Sequence, residues 1–143
     1  MKRIIFLDMD GVLADFDGAV KNHVPDPPEM FVPGFFRNLA VMEGAKEAVA
    51  ALLANKKLEV YIGSKMTSKV PSCASEKMEW IAKHFPALKR HMVLVCDKKL
   101  LRGHVLVDDD IKRWGHKFVG HFIHFNRNKP AESWKAVVKE LCK

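Results

Sequence analysis

Five short runs stand out along the chain by their apolar, β-branched and aromatic content: RIIFL at 3–7, LEVYIG at 58–63, HMVLVC at 91–96, HVLV at 104–107 and FVGHFIHF at 118–125. That composition predicts strands, and several runs are so continuously apolar that they predict a parallel sheet covered on both faces. Between them the apolar period lengthens. Ala45, Ala48, Val49, Leu52 and Leu53 follow the spacing of one helix face, as do Met78, Ile81, Ala82 and Phe85, and again Trp134, Val137, Val138 and Leu141. Gly44 and Pro130 stand at expected helix starts, and Pro86 at an expected stop. Alternating strand and helix predict an α/β fold, a three-layer sandwich with a central parallel sheet and right-handed crossovers. VPDPPEMFVPG at 24–34 breaks the alternation; four prolines in this short stretch predict an irregular insertion after the first strand.

The length of 143 residues and 48% hydrophobic content suit one domain with a real core. No apolar run approaches a membrane span, and too few apolar residues follow Met1-Lys2-Arg3 for a signal peptide, so a cytoplasmic protein is expected. Cys73, Cys96 and Cys142 are too few and too scattered for a disulfide framework or a zinc site. The net charge of +7 is uneven: residues 1–54 hold 5 basic and 8 acidic groups, residues 55–143 hold 19 and 9. This favours an anionic ligand, although a solvated lysine surface has the same composition. No basic run interleaved with aromatics marks a nucleic-acid surface.

Ligands of an open parallel sheet bind beyond the carboxyl ends of its strands. There the chain places Asp8 and Asp10 after the first run, Ser64 and Lys65 after the second, Asp97, Lys98 and Lys99 after the third, and Asp108, Asp109 and Asp110 after the fourth. Singly, each is also a turn, a helix cap or a surface residue. Jointly they suggest carboxylates gathered around a hard cation such as Mg²⁺, with a hydroxyl and an ammonium for a phosphoryl group. One carboxylate can then attack phosphorus while another moves protons. The seven histidines show no ligand spacing; His121 and His124 are expected in structural or surface roles, Trp80 and Trp134 in packing. Trp114 has no reading from its neighbours.

DMDGVLADF at 8–16, the hydroxyl residue ending VYIGS at 60–64, and CDKKLLRGHVLVDD at 96–109 together resemble the haloacid-dehalogenase superfamily of Mg²⁺-dependent phosphatases. More narrowly the chain is similar to the 5'(3')-deoxyribonucleotidases, the cytosolic type C nucleotidases. PGFFRNLAVMEGAKEAV at 33–49, CASEKMEWIAKHF at 73–85 and SWKAV at 133–137 extend the likeness over most of the chain. The resemblance implies a Rossmann-like sandwich. It also implies Asp8 as nucleophile, Asp10 as acid/base, and Ser64 and Lys98 as phosphate-binding groups. Mg²⁺ would be held by Asp109 with the Asp8 carboxylate and the main-chain carbonyl of Asp10, Asp108 acting mainly behind them or exchanging roles with Asp109. Phe16 matches an aromatic of the nucleoside pocket; Lys65, Phe35 and Phe36 complete the expected substrate-binding set, one of the last two also being expected to anchor the insertion.

Departures from the family are equally specific. Its long helical cap shrinks to a short segment at about 17–38, so residues 1–143 are expected to form one domain with a reduced cap. Lys65 and Met66 replace the usual serine and proline, and Asp110 stands where a basic residue is common. The expected activity is Mg²⁺-dependent hydrolysis of a small phosphomonoester, a nucleoside monophosphate, with no membrane partner and nucleic acid not favoured. The alternatives are a sugar phosphate or a phosphorylated polynucleotide end as substrate, and, lower, a non-catalytic or receiver-like domain.

Overall fold

The computed structural model describes residues 1–21 and 32–143. Most of the proline-rich stretch, with Phe31, lies outside the described residues. Strands β1 (Arg3–Leu7), β2 (Leu58–Lys65), β3 (Met92–Val95), β4 (Val105–Asp108) and β5 (His121–His124) form one all-parallel sheet in the order β3-β2-β1-β4-β5. Helices α1 (Phe16–Lys21), α2 (Ala45–Ala54), α3 (Cys73–His84), α4 (Ile111–Trp114) and α5 (Pro130–Leu141) connect them, with 3₁₀ turns at Pro86–Leu88 and Lys98–Leu100. This is an α/β fold with the Rossmann strand order, and not the 2-1-3-4-5 order of flavodoxin-like signalling domains. Ile5 of the central strand pairs with Val60 on one side and Val105 on the other.

Every predicted strand is present, with different ends. β2 runs on through Ser64 and Lys65, so the hydroxyl sits inside the strand. β5 is confined to four residues because Gly120 adopts φ 144, a turn that sends Phe118 under the sheet. The three periodic segments are α2, α3 and α5, with Gly44 at the N-cap of α2 (φ 83) and Pro130 in the first turn of α5. α1 and α4 had no predicted counterpart; at six and four residues they are too short to show a period.

The two faces of the sheet are covered unequally. Ile5, Leu7, Val60, Ile62, Val105 and Val107 join the large core, into which α2, α3 and α5 send Leu52, Trp80, Ile81, Trp134 and Leu141. On the other face the buried cluster is small, Phe6 and Leu106 with Leu101, Trp114 and Phe118, and Ile4, Tyr61, Val93, Val95 and Phe122 pack against it only partly covered. Trp114, unreadable in sequence, is thus a buried cover for this thin layer. Among the described residues no helix is long and apolar enough to cross a membrane, and all three cysteines are free.

Two buried indoles brace the loops beside the sheet edge. Trp134 of α5 donates to the Val12 carbonyl (3.2 Å) and Trp80 of α3 to that of Leu39 (2.7 Å). A tryptophan is buried without penalty only when its N–H finds a partner, so each ring fixes a loop as it fills the core.

Candidate active site

The loop after β1 is folded tightly back on itself. Leu13 and Ala14 both donate to the Met9 carbonyl, Gly11 donates to Ala14, and Met9, Val12, Leu13 and Ala14 are wholly buried. Apolar side chains anchor this loop so that Asp8 and Asp10 alone turn toward the sheet edge. Gly11 adopts φ 84, and a Cβ there would overlap the Asp109 carboxylate. Glycine permits that backbone at no steric cost and lets the two acidic loops meet.

Asp8, Asp10, Lys98, Asp108 and Asp109 line one cleft of about 810 Å³ at the carboxyl ends of the strands. Lys98, buried, reaches Asp8 Oδ1 (2.7 Å) and Asp108 Oδ2 (2.5 Å). The Asp97 side chain accepts from the Lys99 amide at the start of the 3₁₀ turn that carries Lys98, and Asp110 caps α4 through the Arg113 amide. The other Asp108 oxygen accepts from the Asp110 amide (2.9 Å). Oxygens of Asp8, Asp108 and Asp109 lie within 4.8 Å of one another.

A second lysine completes the network, and its helix position gave no sequence signal. Lys77 of α3 is buried and donates to Ser64 Oγ (2.8 Å) and the Lys65 carbonyl (2.7 Å), with Asp10 Oδ2 at 2.9 Å. An ammonium has three protons, and all three have partners. Ser64 therefore accepts from Lys77 and keeps its own hydroxyl proton for another acceptor. Asp10 Oδ1 is buried with no partner among the described residues. Such an atom costs about 1–3 kcal/mol unless something else satisfies it, which marks it as aimed at a group that arrives.

Crowding of like charge is evident in the acids' proton affinities. Burial raises the Asp8 carboxyl against the pull of Lys98, and Asp108 raises it further. Asp109 is pushed up to about 8, first by burial and then by Asp8, with Arg127 opposing. Burial alone would lower Lys98, but Asp8 and Asp108 raise it above the ordinary lysine value, so it stays charged. Three clustered carboxylates form an all-oxygen donor set, and their mutual repulsion fits a site built for a hard divalent cation.

Known proteins resemble this chain in sequence and in fold. Residues 29–141 match the family model described as "5' nucleotidase, deoxy (Pyrimidine), cytosolic type C protein". The chain belongs to this family. A Vibrio phage KVP40 protein named "Putative 5'(3')-deoxyribonucleotidase" is 32% identical over 149 residues, spanning 98% of this chain and 85% of its own. The 5'(3')-deoxyribonucleotidase of Bacillus subtilis strain 168 is 27% identical over 175 aligned residues, 99% of each chain. That alignment is longer than the 143 residues of this chain, which therefore lacks segments the relative has. The crystal structure of a "putative haloacid dehalogenase-like hydrolase" from Burkholderia xenovorans LB400 superposes with a TM-score of 0.51 at 14% identity, covering 87% and 83% of the two chains, and shares the fold.

The residues singled out by family resemblance are distributed unevenly around the cleft. Phe16 and Phe36 line it, as does the exposed Lys65, whereas Phe35 is not among its lining residues. Phe35 stands edge-on to Phe16 (5.5 Å) and to Phe36 (5.2 Å), packed against the core. Phe36 is itself buried, with the Lys77 ammonium 5.1 Å from its ring centre. Besides Lys77, Arg127 and His124 border the cleft without having been predicted. His124, expected in a structural or surface role, lies within 3.2 Å of the Asp109 carbonyl. The strand-end rule would have found both had it been applied past the fifth strand.

Proposed function

We infer that the chain is a Mg²⁺-dependent phosphomonoesterase that hydrolyses nucleoside monophosphates, deoxyribonucleotides foremost, through an aspartyl phosphate on Asp8. The observation that carries this reading is the pairing of Asp8, held by Lys98 among acids, with Asp10, which presents an unpartnered buried oxygen from the same loop. The names of the relatives supply the substrate class.

Asp8 and Asp109 would hold the cation, with the Asp10 main-chain carbonyl as the family resemblance implies. Asp108 already serves Lys98 and the Asp110 amide with its two oxygens, which favours it as the support behind them. When bound, the cation offsets negative charge on the acids and on the phosphate. Ser64 turns its free hydroxyl proton toward a phosphate oxygen, and Lys77 and Lys98 keep the surroundings positive.

In the first step an Asp8 oxygen bonds to phosphorus as the bond to the ester oxygen breaks, and Asp10, protonated on Oδ1, gives its proton to that departing oxygen. In the second step Asp10, now ionised, takes a proton from water, whose oxygen bonds to phosphorus as the Asp8 ester bond breaks. Phosphate leaves and both carboxyls regain their starting states.

Residues 1–143 form one domain on this reading, with the segment at about 17–38 as a reduced cap insertion. Phe16 and Phe36 provide apolar surface for the nucleoside. Lys65, Lys69 and Arg113 on the cleft rim favour a second reading, a larger polyanionic substrate such as a phosphorylated polynucleotide end. Phosphate release measured over deoxyribonucleotides, ribonucleotides, sugar phosphates and phosphorylated oligonucleotides, with Mg²⁺ or chelator, tests both. Mg²⁺-dependent release led by the deoxyribonucleoside monophosphates is expected; release led by oligonucleotides or sugar phosphates overturns the substrate assignment.

A further inference from the structure

Arg127 follows β5 and has two acidic partners in different parts of the molecule. Its Nη1 lies 3.2 Å from Asp109 Oδ2 and its Nε lies 2.9 Å from Asp17 Oδ2. Asp109 belongs to the acid cluster at the cleft floor, whereas Asp17 is in the first turn of α1, next to Phe16, where the insertion begins. The planar guanidinium fork suits such a bridge, since different nitrogens serve different carboxylates. Among the described residues no other cation forms an ion pair with Asp109, and no other ion pair joins α1 to the site. The guanidinium is half-exposed and is therefore free to shift its weight between partners.

We propose that Arg127 couples the divalent-cation site to α1, shared between Asp109 and Asp17 while the cation is absent and held by Asp17 alone once the cation is present. This rests on the reading of Asp109 as a cation ligand. A divalent ion and a guanidinium compete for the same carboxylate and repel each other, so the arrival of one weakens the other's hold. Asp17 is then the anion left within reach. Its pairing with Arg127 pins α1, and with it the Phe16 ring at the cleft mouth. Coupling of this kind is reciprocal: as far as the cation favours the Asp17–Arg127 pair, that pair favours the cation by drawing the guanidinium off Asp109.

The test needs no substrate. Mg²⁺ binding is measured by calorimetry, and amide hydrogen exchange of the peptide spanning α1 is followed with and without Mg²⁺, for the unaltered chain, Asp17→Asn, Arg127→Met and Arg127→Lys. In the unaltered chain Mg²⁺ is expected to slow α1 exchange by about threefold to tenfold. All three variants should lose that dependence, Arg127→Lys because an ammonium lacks the fork that spans both acids. Arg127→Met should bind Mg²⁺ about fivefold more tightly, its competitor gone, while Asp17→Asn should not bind it more tightly. A purely structural Arg127 would change α1 exchange equally with and without Mg²⁺, which overturns the coupling. Unchanged or weaker Mg²⁺ binding in Arg127→Met overturns it as well, and Arg127→Lys still decides the exchange result if the Met variant does not fold. No Mg²⁺ binding by the unaltered chain would remove the metal reading itself, a failure distinct from that of Arg127.

Discussion

Lys77 donates all three of its ammonium protons inside the protein, to a serine hydroxyl, a main-chain carbonyl and a carboxylate. Replacing it with methionine keeps the length and removes the donors, so Ser64 loses its orientation and Asp10 its counter-charge together. Lys77→Met is expected to lower kcat by on the order of a hundredfold, measured as phosphate release from a nucleoside monophosphate. Circular dichroism should still report a folded chain. Asp8→Asn should be more severe, on the order of a thousandfold or more, because an amide does not attack phosphorus at a useful rate. Asp10→Asn should separate substrates: an aryl phosphate, whose leaving oxygen needs little protonation, should lose less kcat than a nucleotide. Equal losses on both would remove Asp10 from proton transfer. That Asp8, Asp10, Ser64 and Lys98 are brought into one network was legible because each lies near or just beyond the carboxyl end of a strand. Lys77 was not, because a lysine within a charged helix segment looks like any solvated one until tertiary structure buries it.

At the scale of elements, α3 fastens the segment that shapes the apolar wall of the cleft. Buried Glu76 accepts from the Arg37 amide (3.2 Å). Hydrogen bonds from Ser72 and from the Gly34 and Arg37 amides hold its carboxyl below the usual range despite burial. Gly34 at φ 92 opens the turn and Asn38 closes it on the Gly34 carbonyl (2.8 Å), so Phe36 is fixed between clamped neighbours. Glu76→Ala strands those amides and should cost about 2 kcal/mol or more in urea unfolding. The Phe36 wall loosens with it, so KM for a nucleotide should rise more than KM for a small aryl phosphate. Phe16→Ala should give the same substrate split with little loss of stability; parallel losses on both substrates would make Phe16 a packing residue. Strand and helix positions were readable from periodicity, which needs several turns or alternations to register. Short α1 and α4, and the unequal cover of the sheet, depend on which loops happen to fold over which face, and no local period encodes that.

For the whole molecule, the acid cluster makes stability depend on pH in the direction opposite to that of ordinary salt-bridged proteins. In the folded, metal-free chain burial and Asp8 push the Asp109 carboxyl up to about 8 from an ordinary 3.8, and burial raises Asp8 too. Between those values the folded state binds more protons than the unfolded state, so stability falls as pH rises from about 4 to about 8. In chelator the melting temperature should drop across that window through this contribution. Adding Mg²⁺ should raise it most at the alkaline end, where the carboxylates are free to bind. A melting curve that is flat with pH in chelator and unresponsive to Mg²⁺ would remove the cluster as a cation site. The sheet order has a further consequence for the chain's biogenesis. β1 precedes the other strands in the chain and lies at the centre of the sheet, yet Ile5 must wait for Val60 and then Val105 before both its edges are paired. Contacts so distant in sequence form slowly, and an apolar strand with an open edge invites association with other chains. Asp8 and Asp109 come together only when β4 docks, so a nascent chain holds its acid cluster unassembled until β4 has emerged. Competence to cleave phosphate esters thus arrives with the closing of the sheet, and partly made chains are a hazard of aggregation and not of stray hydrolysis.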